Sequence, residues 1–188
     1  ELASPNAKQN AQQGILKLMM NDPSGMQNLQ DAVKLNPELI EAELALAFSA
    51  VQSGDIEQAT AIAKKWEKKY PNKAGAFNLM ATIHIKEKDF INAEKALKQS
   101  LTVEPNNAFA LIEQVRLAAY QKNESLVKDR AEYLIKVYPN NNKALRLYFG
   151  VNRNDVALEK LMSAHQLDTA DLQKAMLVSE AFVSLKKA

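Results

Sequence analysis

Apolar residues recur three and four positions apart along almost the whole chain, in short blocks interrupted by polar turn residues. Over 77–84 the set is Phe77, Met80, Ile83 and His84, and over 90–101 it is Phe90, Ala93, Leu97, Ser100 and Leu101. This spacing predicts an amphipathic helix in each block, and a short polar turn between blocks folds them into an antiparallel hairpin. The stretch LTVEPNNAFAL (101–111) shows how one hairpin gives way to the next. Pro105 cannot continue a helix, and Asn106 or Asn107 can cap the one that follows.

The interruption is periodic. Pro37, Pro71, Pro105 and Pro139 stand 34 residues apart, four of the six prolines in the chain. With proline counted as position 32, repeats begin near Asn6, Ile40, Ala74, Ala108 and Asn142. Where two helices of a hairpin must approach closely, position 8 holds Ala47 and Ala81, and position 20 holds Ala59 and Ala93. Asp55, Asp89 and Asn123 are placed to cap the second helices, and Gly54 suits the turn before one of them. Val115 and Val127 fill the small positions of the fourth unit, which should open that hairpin slightly. In the fifth unit Ala157 arrives four residues early, so its first helix, 142–152, is expected to be truncated or the turn at 152–155 tight. The first unit is degenerate, with Pro23, Ser24 and Gly25 opening its second helix. The tail 172–188 reads as one more amphipathic helix without a partner, a cap for the stack or the last piece of a longer one. About eleven helices are expected, in one all-α solenoid domain spanning 1–188 with repeats near 6–39, 40–73, 74–107, 108–141 and 142–171.

Composition agrees and excludes several classes. The chain has 188 residues, 47% hydrophobic and 24% charged, with only 5 glycines, a globular and helix-favouring balance. No segment approaches the ~18 consecutive apolar residues of a membrane span. Cysteine is absent, which removes disulfides and thiolate chemistry. The net charge of +2 lacks the basic bias of a nucleic-acid binder. The charge is uneven, however: residues 1–53 carry 3 basic and 6 acidic groups, and residues 108–153 carry 8 and 4. A chain beginning at Glu1 without methionine reads as part of a longer protein, so the lack of a leader says little about compartment.

The stretch FNLMATIHIKEKDFINAEKALKQSLTVEPNN (77–107) resembles a tetratricopeptide repeat along its whole length, and SGDIEQATAIAKKWEKKYPN (53–72) is similar to part of another. The resemblance covers nearly the full chain and implies a right-handed superhelix of stacked hairpins that binds proteins or peptides, with no catalysis and no cofactor. Trp66 departs from it, standing at position 27 where the family prefers alanine. The region 45–97 also resembles the repeat lipoproteins that accompany exosortase (PEP-CTERM) sorting in Gram-negative bacteria. That likeness implies an exported or periplasmic protein of cell-envelope or exopolysaccharide biology; without it a cytoplasmic protein is expected.

Chemistry-bearing patterns are few. There is no glycine-rich phosphate loop, no H-E-x-x-H and no G-x-S-x-G. His84 and His165 stand far apart in the chain, a poor metal-ligand set, and His84 is expected to pack. Glu41 and Glu43 point to different helix faces and do not form a carboxylate pair. Trp66 is expected in the core, and Lys64, Lys65, Lys68 and Lys69 on a solvated outer face. Stacked hairpins of this kind line their concave side with first helices, where positions 2, 5, 9 and 12 share a face. The residues expected to contact a peptide or protein partner there are Phe48, Asn78, Thr82, Phe109, Ile112, Arg116 and Arg146. Chaperone-binding members of the resembled family hold a terminal carboxylate with lysine, asparagine and arginine on successive first helices. Asn78 and Arg116 fit that clamp in type, but Leu44 and Phe48 replace polar groups, so the full clamp is absent. The expectation is a scaffold that binds a protein or peptide and no nucleic acid, with self-association or an envelope assembly role as the alternative.

Overall fold

The computed structural model describes residues 5–185. Among these residues there are eleven α-helices and no strand. The first compact unit ends at Val103 and the second begins at Glu104. Unit 1 comprises α1 (Pro5–Met19), α2 (Gly25–Leu35), α3 (Ile40–Ser53), α4 (Ile56–Lys69), α5 (Ala74–Lys86) and α6 (Phe90–Val103). Unit 2 comprises α7 (Ala108–Tyr120), α8 (Glu124–Val137), α9 (Asn142–Val151), α10 (Asp155–Leu167) and α11 (Leu172–Ser184). Successive helices pack as antiparallel hairpins, and within each unit one hairpin packs on the next. The architecture is an all-α solenoid.

The turn chemistry follows the sequence. Asp55, Asn107, Asn123 and Asn141 each accept a hydrogen bond from a backbone N–H in the first turn of α4, α7, α8 and α9. Asp89 does the same for Asn92 at the start of α6. In the 104–107 stretch, Asn107 Nδ2 also donates to Glu104, and the Tyr138 hydroxyl donates to the carbonyl of Asn106. The end of α8 therefore holds the loop that opens α7. The residue before each cap at position 15 is left-handed in three consecutive hairpins, at Gly54 (φ +88°), Lys88 (+60°) and Lys122 (+56°). Glycine adopts that conformation without strain, whereas lysine carries a Cβ penalty there.

Helix contacts inside hairpins depend on small residues. Ala47, Ala59, Ala81 and Ala93 are fully buried. The first hairpin goes further: a Cβ at Gly25 would lie 2.5 Å from the Gly14 carbonyl oxygen, so α1 and α2 cross with glycine on both sides. Gly25 occupies the small position 20 of the first unit, where the second and third units place Ala59 and Ala93. The truncated first helix of the fifth unit is confirmed, α9 having 10 residues against 13 in α7. Asn154 caps α10 immediately after the short turn.

Trp66 is 3% exposed and lies over α5, close enough to Gly75 that a Cβ there would sit 2.9 Å from its ring. Its Nε1–H donates to Glu43, which is itself buried and also receives the Lys65 ammonium. Lys69 pairs with Glu38. Two of the four lysines expected on a solvated face are thus tied to carboxylates of the preceding helix and its loop.

Candidate interaction groove

In unit 2 the first helices α7 and α9 and the start of α11 enclose an open groove of about 660 Å³. Ala108, Phe109 and Ile112 supply an apolar floor, Phe109 half-buried and Ile112 buried. These residues sit on one side of α7 because their spacing of three and four follows the helical turn. Arg116 stands one turn further along and pairs with Glu113 at 2.6 Å, its side chain half in solvent. The opposite wall is the Asn140–Asn141–Asn142 run with Lys143.

One end of the groove is closed by a polar network around Asp171. Asn142 Nδ2 donates to Asp171 Oδ2 at 2.9 Å and to Gln173 Oε1 at 3.0 Å. Asp171 also caps α11 and accepts from the Lys174 ammonium at 3.0 Å, with Asp168 supplying a second carboxylate at 3.1 Å. The Asn142 hydrogen bond and the Lys174 pair hold the Asp171 carboxyl far below the ordinary carboxylate range. Asp171 and Asp168 in turn push the Lys174 ammonium above its usual value. This network is a fixed wall. By contrast, the side chains of Asn140 and Lys143 make no hydrogen bond or ion pair among the described residues, and both carry N–H donors at the groove wall.

Phe109, Ile112 and Arg116 of the expected contact set therefore share one groove. Arg146 lies on α9 outside its lining, 61% exposed and 3.7 Å from Glu180 of α11. The other three belong to unit 1. Phe48 is half-buried and packs against the cluster of Ala47, Val51, Leu79 and Ile83. Asn78 accepts the Ser100 hydroxyl at 2.7 Å, and Thr82 donates to the Asn78 carbonyl at 2.9 Å. Sequence reasoning passed over the Asn140–Asn142 wall, Asp171 and Gln173, because the cap positions and the start of α11 carry no first-helix periodicity. A second cleft of about 580 Å³ lies beside Lys122, Val127 and Val151, at the turn end of the hairpin whose small positions hold valine.

His84 is half-buried with its Nδ1 3.7 Å from Glu87 and 3.8 Å from Asp89, next to the α5–α6 turn. Among the described residues no group of three or more His, Asp or Glu side chains is placed to hold a metal. No helix of the described residues is long and apolar enough to cross a membrane.

The geometry defines the class of fold: a tetratricopeptide-repeat solenoid. No protein-family profile and no curated protein matches the sequence. Solved structures with the same fold include TTC0263, a thermophilic tetratricopeptide-repeat protein of Thermus thermophilus, with a TM-score of 0.72 and 17% identity over 94% of this chain and 99% of that one. Yeast Tom70 superposes with a TM-score of 0.72 and 18% identity, over 98% of this chain and 42% of its own length. YrrB, described as a tetratricopeptide-repeat protein with an unusual peptide-binding site, superposes with a TM-score of 0.53 and 13% identity over 85% of this chain and 84% of that one.

Proposed function

We propose that the chain is a non-enzymatic protein-interaction module and that the unit 2 groove receives a short extended peptide segment of a partner protein. The observation that carries this reading is the apolar floor of Phe109 and Ile112 open beside the unpartnered side chains of Asn140 and Lys143. An apolar anchor residue would cover the floor, and the amide and ammonium would take carbonyl or carboxylate oxygens of the segment. A groove of this volume lies within the ~300–1,000 Å³ range of ligand sites and accommodates a few residues. The likeness to YrrB, which has a peptide-binding site of its own, supports peptide recognition by this fold.

The test is selection of linear peptides from a displayed library on the wild-type protein, followed by affinity measurement on Phe109→Ala and Lys143→Glu variants. A loss of about tenfold or more in each, roughly 1.4 kcal/mol, is expected. Selected peptides that bind both variants as tightly as the wild type overturn the assignment.

A further inference from the structure

Four charged side chains line the groove of unit 2: Glu113 and Arg116 on α7, Lys143 on α9 and Asp171 just before α11. Their charges are not equally open to a partner. Asp171 already holds the Lys174 ammonium at 3.0 Å, and Asp168, the second carboxylate on that lysine, lies outside the lining. Arg116 Nη1 donates to Glu113 Oε1 at 2.6 Å, three residues back on the same helix. Of the four, Lys143 is the one whose charge meets no opposite charge among the described residues.

The two members of the α7 pair differ in exposure. The Glu113 side chain is 13% exposed and that of Arg116 47%, so the carboxylate is drawn into the wall while the guanidinium faces the groove. Residues three apart on a helix are neighbours, and a charge-assisted hydrogen bond of this length is a strong one. A guanidinium carries five N–H donors, and those that Glu113 leaves open can still meet a neutral carbonyl oxygen. A second carboxylate brought to Arg116 would instead stand beside the Glu113 charge. Repulsion between the like charges, little screened in a partly buried wall, offsets the attraction of the arginine. Glu113 thereby turns Arg116 from an anion receptor into a donor for neutral oxygens.

We infer that Glu113 is the specificity-determining residue of the groove: it limits the partner segment to one acidic residue, taken by Lys143 across the apolar floor from α7, and disfavours a second one opposite Arg116. The inference rests on the peptide-binding reading of the same groove. Specificity here is a difference between two segments, and it comes from a repulsive element built into the wall as well as from the attractive lysine.

Glu113→Gln keeps the size of the side chain and removes its charge. Linear peptides are selected from a displayed library on the wild-type chain and on this variant, and the best binders are remade with each Asp or Glu replaced by its amide. Wild-type peptides should share one acidic position whose amide binds about 5-fold or more weakly. Peptides selected on Glu113→Gln should carry a second acidic position and bind the variant about 5-fold or more tightly than the wild type. That gain should vanish when the second acid is amidated, and also in the double variant Glu113→Gln/Arg116→Gln. The same acidic content in both selections, or a gain that survives either control, overturns the inference. Peptides that depend on Phe109 but keep their charge preference in Glu113→Gln sink this inference alone, whereas peptides indifferent to Phe109→Ala overturn the groove reading together with it.

Discussion

The indole N–H of Trp66 donates to the carboxylate of Glu43, joining α4 to α3 beneath the surface of unit 1. The pair explains why a tryptophan replaces the small residue usual at this position. The ring covers Gly75 at the start of α5, and its one polar atom finds a carboxylate acceptor inside the same hairpin. Removing the acceptor strands a buried donor and leaves a void. Glu43→Ala should therefore cost about 2–3 kcal/mol in chemical denaturation. Glu43→Gln keeps an acceptor for the indole and loses only a pair with half-exposed Lys65, so its cost should stay below about 1 kcal/mol.

Gly75 is constrained by the same ring. A Cβ there would stand 2.9 Å from the six-membered ring of Trp66, and that ring has no solvent side to move into. Gly75→Ala should destabilise by about 1–3 kcal/mol despite its gain in helix propensity. Combined with Trp66→Leu, the glycine substitution should cost less than it does alone, a non-additivity that a double-mutant cycle reads directly.

Lys88 and Lys122 occupy the left-handed turn position that Gly54 fills one and two hairpins earlier, respectively. Replacing either lysine by glycine relieves the Cβ strain and partly offsets it with greater unfolded-state freedom. Each should raise stability by about 0.5–1 kcal/mol, read as a higher denaturant midpoint at constant slope. Gly54→Ala should move the other way by about 1 kcal/mol, from conformational strain alone, since nothing lies within 4 Å of its Cβ direction.

The carboxyl of Asp171 is held below its unfolded value, chiefly by Asn142 and then by Lys174. A lowered folded-state value means the contribution is present above the unfolded carboxylate pKa of ~3.9 and is lost as pH falls through the folded value. Asp22, Glu38 and Asp89 are shifted in the same direction and share that slope. Denaturation midpoints measured from neutral pH downward should fall less steeply below about pH 4 in Asp171→Asn than in the wild type. Parallel curves would show that the network around Asp171 carries no stability.

Most of the fold was legible in the sequence because its determinants are local and periodic. The prolines mark hairpin ends, Asp55 and Asn123 cap where the register placed them, and the early arrival of Ala157 became a shortened α9. The site was less legible. A helical register says which side of a helix a residue occupies but not what lies across from it. Asn78 has the register of a concave-face residue, yet its side-chain oxygen is engaged by Ser100 of α6. Glu43 read as an ordinary helix carboxylate because its partners stand 22 and 23 residues away. The wall of the groove comes from loop asparagines and a cap aspartate, which obey no period. Architecture shared at 13–18% identity carries the hairpins, whereas the groove lining is particular to this chain's loops.

In the proposed complex the partner peptide lies on α7 and α9 of unit 2. Amide chemical-shift mapping of the full chain during titration with a library-selected peptide tests it most directly. The largest shifts are expected at 108–116 and 140–143, with Asn140 and Lys143 among them, and little change along α8 and α10. Shifts concentrated on α8 and α10, with the 108–116 and 140–143 amides unmoved, would contradict it.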